Sequence, residues 1–151
     1  MTNKLSDIIS LFPKEVDCVS FLEHIIWNDN PVCPYCKKNP NFSTSISKLN
    51  NRYHCNACNS SFSVMVKTIF SGTRCDLRKW FFAIYLLHLP TKKITARYLA
   101  EKIKTTKDTA WLMTVKINTA KIDYPDLLEN IVSEINKRDE KRNQKKDGSS
   151  I

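Results

Sequence analysis

Apolar residues recur at helical spacing through most of this chain and lose that spacing in one stretch, from Cys33 to Thr68. Leu5-Ser6-Asp7-Ile8-Ile9-Ser10-Leu11-Phe12 has a helical period that Pro13 closes. Val16, Val19, Phe21, Leu22, Ile25 and Ile26 give a second helix ending at Trp27. From Asp76 to Leu89 the chain is apolar nearly all round, which predicts a buried helix with Asp76 as N-cap and Pro90 beyond its end. Thr95 caps a further helix with Ala96, Leu99, Ala100 and Ile103 on one face. After a break at Lys104-Thr105, Thr106 caps the next, whose stripe is Ala110, Met113, Ile117 and Ala120. Two helices about three residues apart have the spacing of a helix-turn-helix. Pro125 to Lys137 predicts an amphipathic helix with Leu127, Leu128, Ile131, Val132 and Ile135 together. The charged residues 138–151 read as a disordered tail.

The stretch without helical period is rich in Asn and Ser and contains Phe62-Ser63-Val64-Met65-Val66, where β-prone residues favour a strand. It also holds Cys33-Pro34-Tyr35-Cys36 and Cys55-Asn56-Ala57-Cys58, two pairs separated by eighteen residues. That spacing suits a four-cysteine zinc site. Two intervening residues let one tight turn aim both sulfurs at a single ion, and the longer arm brings the second turn round to complete a tetrahedron. Four thiolates leave no open coordination position, so a Zn2+ held by Cys33, Cys36, Cys55 and Cys58 is structural and activates no water. An iron–sulfur centre or a redox dithiol pair also uses such cysteines. His54 competes as a ligand, but exchanging it for Cys55 breaks the two-residue turn. Lys37, Lys38 and Arg52 neighbour the ligands and can offset the negative charge of a tetrathiolate. Cys18 and Cys75 read as small buried hydrophobes.

Charge changes the picture next. The 151 residues carry a formal +9, distributed unevenly. Residues 1–32 hold 2 basic against 5 acidic side chains, residues 33–70 hold 5 against 0, residues 71–124 hold 11 against 4, and residues 125–151 hold 6 against 6. The middle therefore has a net +12, the footprint of a protein that meets phosphates, although a generally lysine-rich proteome gives a milder version of it. In a helix-turn-helix the start of the second helix enters the major groove. This places Thr106, Lys107, Asp108 and Thr109 at the groove, with Trp111 and Leu112 a turn further on. Lys92, Lys93, Arg97, Lys104 and Lys116 surround that helix as candidate phosphate contacts. Two packed helices with solvated lysines show the same pattern, and a tryptophan at position 111 also suits a core.

Composition adds two constraints. Only two glycines occur, so turns needing a positive φ fall to Asn, Asp or a strained residue, or are stapled by a metal. No signal peptide is visible, and the longest apolar run, Trp80 to Leu89, is about ten residues, too short for a bilayer. These features point to a soluble cytoplasmic protein, nucleoid-associated if bacterial, where six cysteines favour metal over disulfides. The expected fold is α+β: a small four-cysteine zinc ribbon of short antiparallel strands, flanked by N-terminal helices and followed by a helical helix-turn-helix module. Expected segments are helices at 1–32, ribbon at 33–70, helix-turn-helix at 71–122, amphipathic helix at 123–137 and tail at 138–151.

The order of parts carries a resemblance. Phe12-Pro13, Cys18, Phe21-Leu22, Trp27-Asn28-Asp29-Asn30, the first cysteine pair, Tyr53-His54-Cys55, Phe62-Ser63 and Thr68-Ile69-Phe70 precede Leu77-Arg78-Lys79-Trp80-Phe81-Phe82-Ala83-Ile84-Tyr85, and Thr109-Ala110-Trp111 follows. This string, within residues 8–120, resembles the N-terminal region of bacterial insertion-sequence transposases of the ISXO type, related to the eukaryotic Merlin elements. The resemblance implies a zinc ribbon and a helix-turn-helix that recognise transposon ends ahead of an RNase H-type catalytic domain. It carries over the four cysteines as ligands and the helix beginning at Lys107 as DNA reader. The family often has glycine after each cysteine pair, where this chain has Lys37 and Asn59, and Asn tolerates the left-handed conformation better than Lys. Past residue 122 the acids Asp123, Asp126, Glu129 and Glu134 fall on helical or capping positions, not in the dispersed acidic cluster that two-metal phosphoryl transfer needs.

The implied function is zinc-dependent binding of double-stranded DNA without a catalytic centre, with no membrane and no small-molecule substrate as partner. Full-length transposase or a second copy in a dimer is the expected protein partner. Two alternatives stay open: an interaction adaptor using the ribbon and the face from Leu127 to Ile135, and a truncated transposase whose catalytic half is encoded separately.

Overall fold

The computed structural model describes residues 4–36, 46–49, 52–88 and 93–148, with backbone alone for 46–49 and 145–148. Along the chain these form α1 (Leu5–Leu11), α2 (Glu15–Trp27), β1 (Ile46–Leu49), β2 (Arg52–Cys55), β3 (Ser60–Phe62), α3 (Leu77–His88), α4 (Ala96–Ile103), α5 (Lys107–Asp123) and α6 (Pro125–Gly148). The class is the expected α+β, with a short antiparallel sheet and a four-cysteine cluster between N-terminal and C-terminal helices. Two compact units share the chain: residues 16–74 form one, and residues 1–15 with 75–151 form the other.

In the helical unit α3 is the axis. Its residues Leu77 and Trp80 through Leu86 are all buried, so the nearly continuous apolar run is a core helix covered on every side. Helices α1, α4, α5 and α6 each pack against it. Phe12, at the C-cap of α1, meets Phe81 edge to face at 5.2 Å. Two carboxylates serve the first turn of α3: Asp76 Oδ1 accepts from the Arg78 amide at 2.8 Å, and Glu15 Oε1 accepts from the Leu77 amide at 3.2 Å. The Arg78 guanidinium clasps both Asp76 oxygens, at 3.0 and 2.9 Å, and donates to the Pro13 carbonyl at 3.0 Å. The start of the chain is thus tied to the start of α3.

The capping threonines stand where their sequence context places them. Thr95 Oγ1 accepts from the Tyr98 amide at 3.1 Å and Thr106 Oγ1 from the Thr109 amide at 3.2 Å. Between α4 and α5 the chain turns through Lys104 at φ 55°, a left-handed C-cap formed without glycine. Lys79 Nζ donates to the Lys104 carbonyl at 3.1 Å, giving that turn a partner from α3.

Two expectations change. Helix α6 does not stop at residue 137 but runs to Gly148, so most of the segment read as a disordered tail is helical. Glu, Lys, Arg and Gln are good helix formers, and the polar turns have work to do. Arg138 donates to the Leu11 carbonyl at 3.1 Å and lies 4.2 Å from the centre of the Phe12 ring, while Arg142 pairs with Asp139 at 2.7 Å and Asp7 at 3.7 Å. These contacts also place α1 with the C-terminal helices, not with α2 as the expected division at 32 and 33 has it. The second change is at Phe62–Val66. Strand β3 ends at Phe62, and the next residues turn because Ser63 Oγ accepts from the Met65 amide at 3.3 Å and the Ser63 carbonyl from the Val66 amide at 3.2 Å. Lys67 completes the bend at φ 62°.

The Asp76 carboxyl is held below its ordinary value, chiefly by the hydrogen bonds of Arg78. A carboxylate with a lowered folded-state value stabilises above its unfolded value and loses that contribution as pH falls through the folded one. Asp76→Ala should therefore destabilise the helices by about 1 kcal/mol at pH 7 and equally at pH 5. The difference from wild type should shrink in acid below the ordinary carboxylate range, as read by urea unfolding followed by circular dichroism.

Candidate metal centre

The ribbon unit is built on three short antiparallel strands in the order β1-β2-β3. Ile46 to Leu49 pair in register with Cys55 to Arg52, and Tyr53 to Cys55 pair with Phe62 to Ser60. Alternation along β2 sends Tyr53 and Cys55 to the buried side and leaves Arg52 exposed. Cys33, Tyr53, Cys55 and Phe62 form the small core, with Trp27, Cys36, Cys58 and Val66 packed around it. Trp27 from α2 meets Tyr53 and Phe62 edge to face at 5.4 and 5.7 Å. Tyr53 donates its hydroxyl to Glu23 at 2.8 Å, and burial together with that carboxylate raises the phenol well above its usual range.

The four cysteines converge. All their Sγ atoms lie within 4.8 Å of one another, and Cys33–Cys58 and Cys36–Cys55 approach to 3.6 Å. A tetrahedron of sulfurs each about 2.3 Å from a central ion has edges of about 3.8 Å. The close edges match that figure, and each joins a cysteine of one pair to a cysteine of the other. Cys33 and Cys55 are buried while Cys36 and Cys58 are partly open, so the ion's place is at the edge of the small core. The donor set is therefore able to hold one tetrahedral metal ion.

The second cysteine turn shows how backbone prepares a thiolate. Amide donors at Cys58 and then Ala57 lower the Cys55 thiol to about 7 against the opposing effect of burial, with smaller help from the Cys36 and Cys58 side chains. The Asn59 amide closes the turn on the Cys55 carbonyl at 2.7 Å, and Asn59 sits at φ 58°. The left-handed position after this pair is thus filled by the asparagine that tolerates it. Lys37, the corresponding residue after the first pair, and Lys38 lie outside the described residues. His54, on β2 between Tyr53 and Cys55, is not one of the four converging ligands. Cys18 is fully buried and Cys75 half-buried, where burial pushes its thiol up, the reverse of Cys55.

One contributor was not legible in the spacing. Lys67 Nζ donates to the Pro34 carbonyl at 2.9 Å and lies 5.7 Å from the Tyr35 ring, bracing the first cysteine turn from the far end of the ribbon. Its one sequence signal is a lone lysine between Val66 and Thr68 in a stretch without acids. Glu23, the partner of Tyr53, is likewise silent in sequence.

The expected nucleic-acid residues occupy a separate region around α5. Lys93, Arg97, Lys104, Lys107 and Asp108 are exposed, and Lys116 is half-buried. Lys92 lies outside the described residues. Thr106 and Thr109 bond to each other, hydroxyl to hydroxyl at 2.8 Å, and so shape the start of α5. On α6, Leu128, Ile131 and Ile135 are buried, so that face covers the unit's own core and is not the free docking surface an adaptor needs. Among the described residues no helix is long and apolar enough to cross a membrane.

Residues 13–61 match the family described as the transposase zinc-ribbon domain. Over 77 residues the chain is 30% identical to the "uncharacterized protein in transposable element ISH50" of Halobacterium salinarum, covering 51% of this chain and 26% of that protein. The matched part spans about a quarter of the relative's length. No solved structure matches the chain. The chain thus brings four cysteines together in a segment similar to the transposase zinc-ribbon domain.

Two substitutions separate the ion's role from that of the small core. Cys55→Ser should abolish stoichiometric metal retention after dialysis against a weak chelator, since it removes a ligand and leaves an incomplete tetrahedron. Tyr53→Phe should retain the metal and lose about 1 kcal/mol of ribbon stability, the worth of its bond to Glu23. Metal analysis and amide hydrogen exchange at the paired residues of β2 and β3 check both.

Proposed function

We propose that this chain is a zinc-dependent, transposase-like binder of double-stranded DNA, with the ribbon holding one structural Zn2+ and α4–α5 acting as a helix-turn-helix. The observation that carries the reading is a capped, three-residue turn between two packed helices, rimmed by exposed cations, in a chain whose preceding ribbon matches a transposase zinc-ribbon domain. Zinc suits four sulfurs at tetrahedral spacing, and at a four-thiolate site it supplies folding energy.

The chemistry of binding follows from this chain's own groups. Thr106 fixes where α5 begins, and Lys104 fixes the angle at which it leaves α4. Lys107 and Asp108 stand in the first turn, at the helix end that carries partial positive charge. Lys93, Arg97, Lys104 and Lys116 are the phosphate contacts. The relevant substrates are transposon ends, in the cytoplasm or on the nucleoid, with a full-length transposase or a second copy as protein partner. The chain binds without cutting. The sequence positions of Asp123, Asp126, Glu129 and Glu134, strung along or just before one helix, support this, because a two-metal nuclease needs acids that converge from distant segments.

The test is binding of metal-loaded protein to duplex DNA over a range of salt. Affinity should fall steeply with ionic strength, and Arg97→Ala and Lys93→Ala should each lower the slope of log affinity against log salt by about 0.9. Salt-insensitive binding, or no binding at low salt, contradicts the proposal.

A further inference from the structure

Large apolar side chains in the open are concentrated on one element. Of nine such residues in the described structure, five fall between 111 and 124: Trp111 at 60% exposure, Leu112 at 48%, Val115 at 41%, Ile122 at 82% and Tyr124 at 58%. At about 100° per residue, Lys107, Trp111, Val115 and Ile122 share one stripe of α5, with Leu112 beside it. The opposite stripe, Ala110, Met113, Ile117 and Ala120, is buried. The core therefore does not need Trp111, Leu112 or Val115, and their exposure asks for an occupant.

Charge selects the occupant. From Lys104 to Lys116 the chain carries three lysines against Asp108, and Lys93 and Arg97 are exposed just before. A second copy of this face would bring the same cationic rim against it, whereas a nucleic-acid duplex brings phosphates to that rim. What an apolar face can read in a major groove is narrow. Leucine and valine neither donate nor accept, and the tryptophan indole has a single N–H. None of these can make the paired hydrogen bonds that identify guanine or adenine, but all can pack on the C5-methyl group of thymine. Asn118, the amide on the same stripe, is seven residues beyond Trp111, about 10 Å further along the axis and away from the end that enters the groove.

Resting on the reading of α5 as the groove-entering helix, we propose that Trp111, Leu112 and Val115 form a methyl-reading surface, so that the chain prefers duplexes presenting thymine in the major groove. Lys107 and Asp108 at the front of the helix are the polar contacts that frame this surface. The preference is for the methyl group itself and is separable from salt-dependent phosphate binding.

Replacing thymine by deoxyuridine removes only that methyl and tests the idea directly. Metal-loaded full-length protein is titrated with an alternating A·T duplex, in which every register offers methyls, and with the alternating A·U duplex of equal length. Burying one methyl is worth about fourfold in a binding constant, so the A·T duplex should bind at least about fourfold tighter. Leu112→Ser and Trp111→Ser, both at exposed positions, should abolish that ratio while the salt slope of binding stays near wild type. Equal affinity for the two duplexes, with both salt-sensitive, overturns methyl reading and leaves DNA binding intact. A ratio that survives both substitutions also overturns it, because the preference then comes from duplex shape. Absence of salt-sensitive binding to either duplex overturns the underlying assignment of α5. Self-association that these substitutions abolish without changing DNA affinity gives the face to a second copy and likewise refutes the proposal.

Discussion

The convergence of four sulfurs to within 4.8 Å is the constraint on which the ribbon depends. Its strands are four, four and three residues long, at the short end of the range for globular proteins. Among the described residues, the small core beside them has four buried side chains, two of them cysteines. Apolar burial on that scale does not offset the conformational entropy lost in ordering the strands and the cysteine turns. A metal ion held by both cysteine pairs would, because its binding free energy would become folding free energy. The backbone is already arranged for it: amides at Ala57 and Cys58 favour the Cys55 thiolate, Asn59 takes the left-handed turn, and Lys67 holds the Pro34 carbonyl.

The helical unit is stabilised on different grounds. Helix α3 is surrounded, and the chain's first helix is fastened to it through Phe12 on Phe81 and Arg78 on the Pro13 carbonyl. The polar end of α6 adds Arg138 and Arg142 to the same fastening. The chain therefore begins in the helical unit, leaves it for the ribbon and returns at Cys75. For function this means that α4 and α5 are mounted on a conventional apolar core. Their local geometry is set by the Thr106 cap and the Lys104 turn.

The clustering of the four cysteines was the most legible part of the sequence, since paired thiols two residues apart state their own geometry. The caps were legible for the same local reason: a threonine just before a periodic segment has few other uses, and both Thr95 and Thr106 accept as expected. Legibility failed where tertiary partners decide. Phe62 to Val66 has strand composition, yet the Ser63 side chain and Lys67 turn the chain there. The end of α6 has the composition of a tail, yet its arginines find Leu11, Phe12 and Asp7, residues more than a hundred positions away. Those same contacts assign α1 to the helical unit, which no local signal in residues 5–12 announces. Trp111 was ambiguous between core and surface until its exposure showed it on the face opposite the buried stripe.

The central claim is that one ion closes the ribbon and that the helices stand without it. Amide hydrogen exchange on the full chain, with zinc bound and after its removal by a strong chelator, measures this directly. Removal should release protection at the paired residues of β2 and β3 and in the Cys55–Asn59 turn, while amides of α3, α5 and α6 keep theirs. Unchanged protection at Tyr53, Cys55 and Phe62 after the metal is gone would contradict the account.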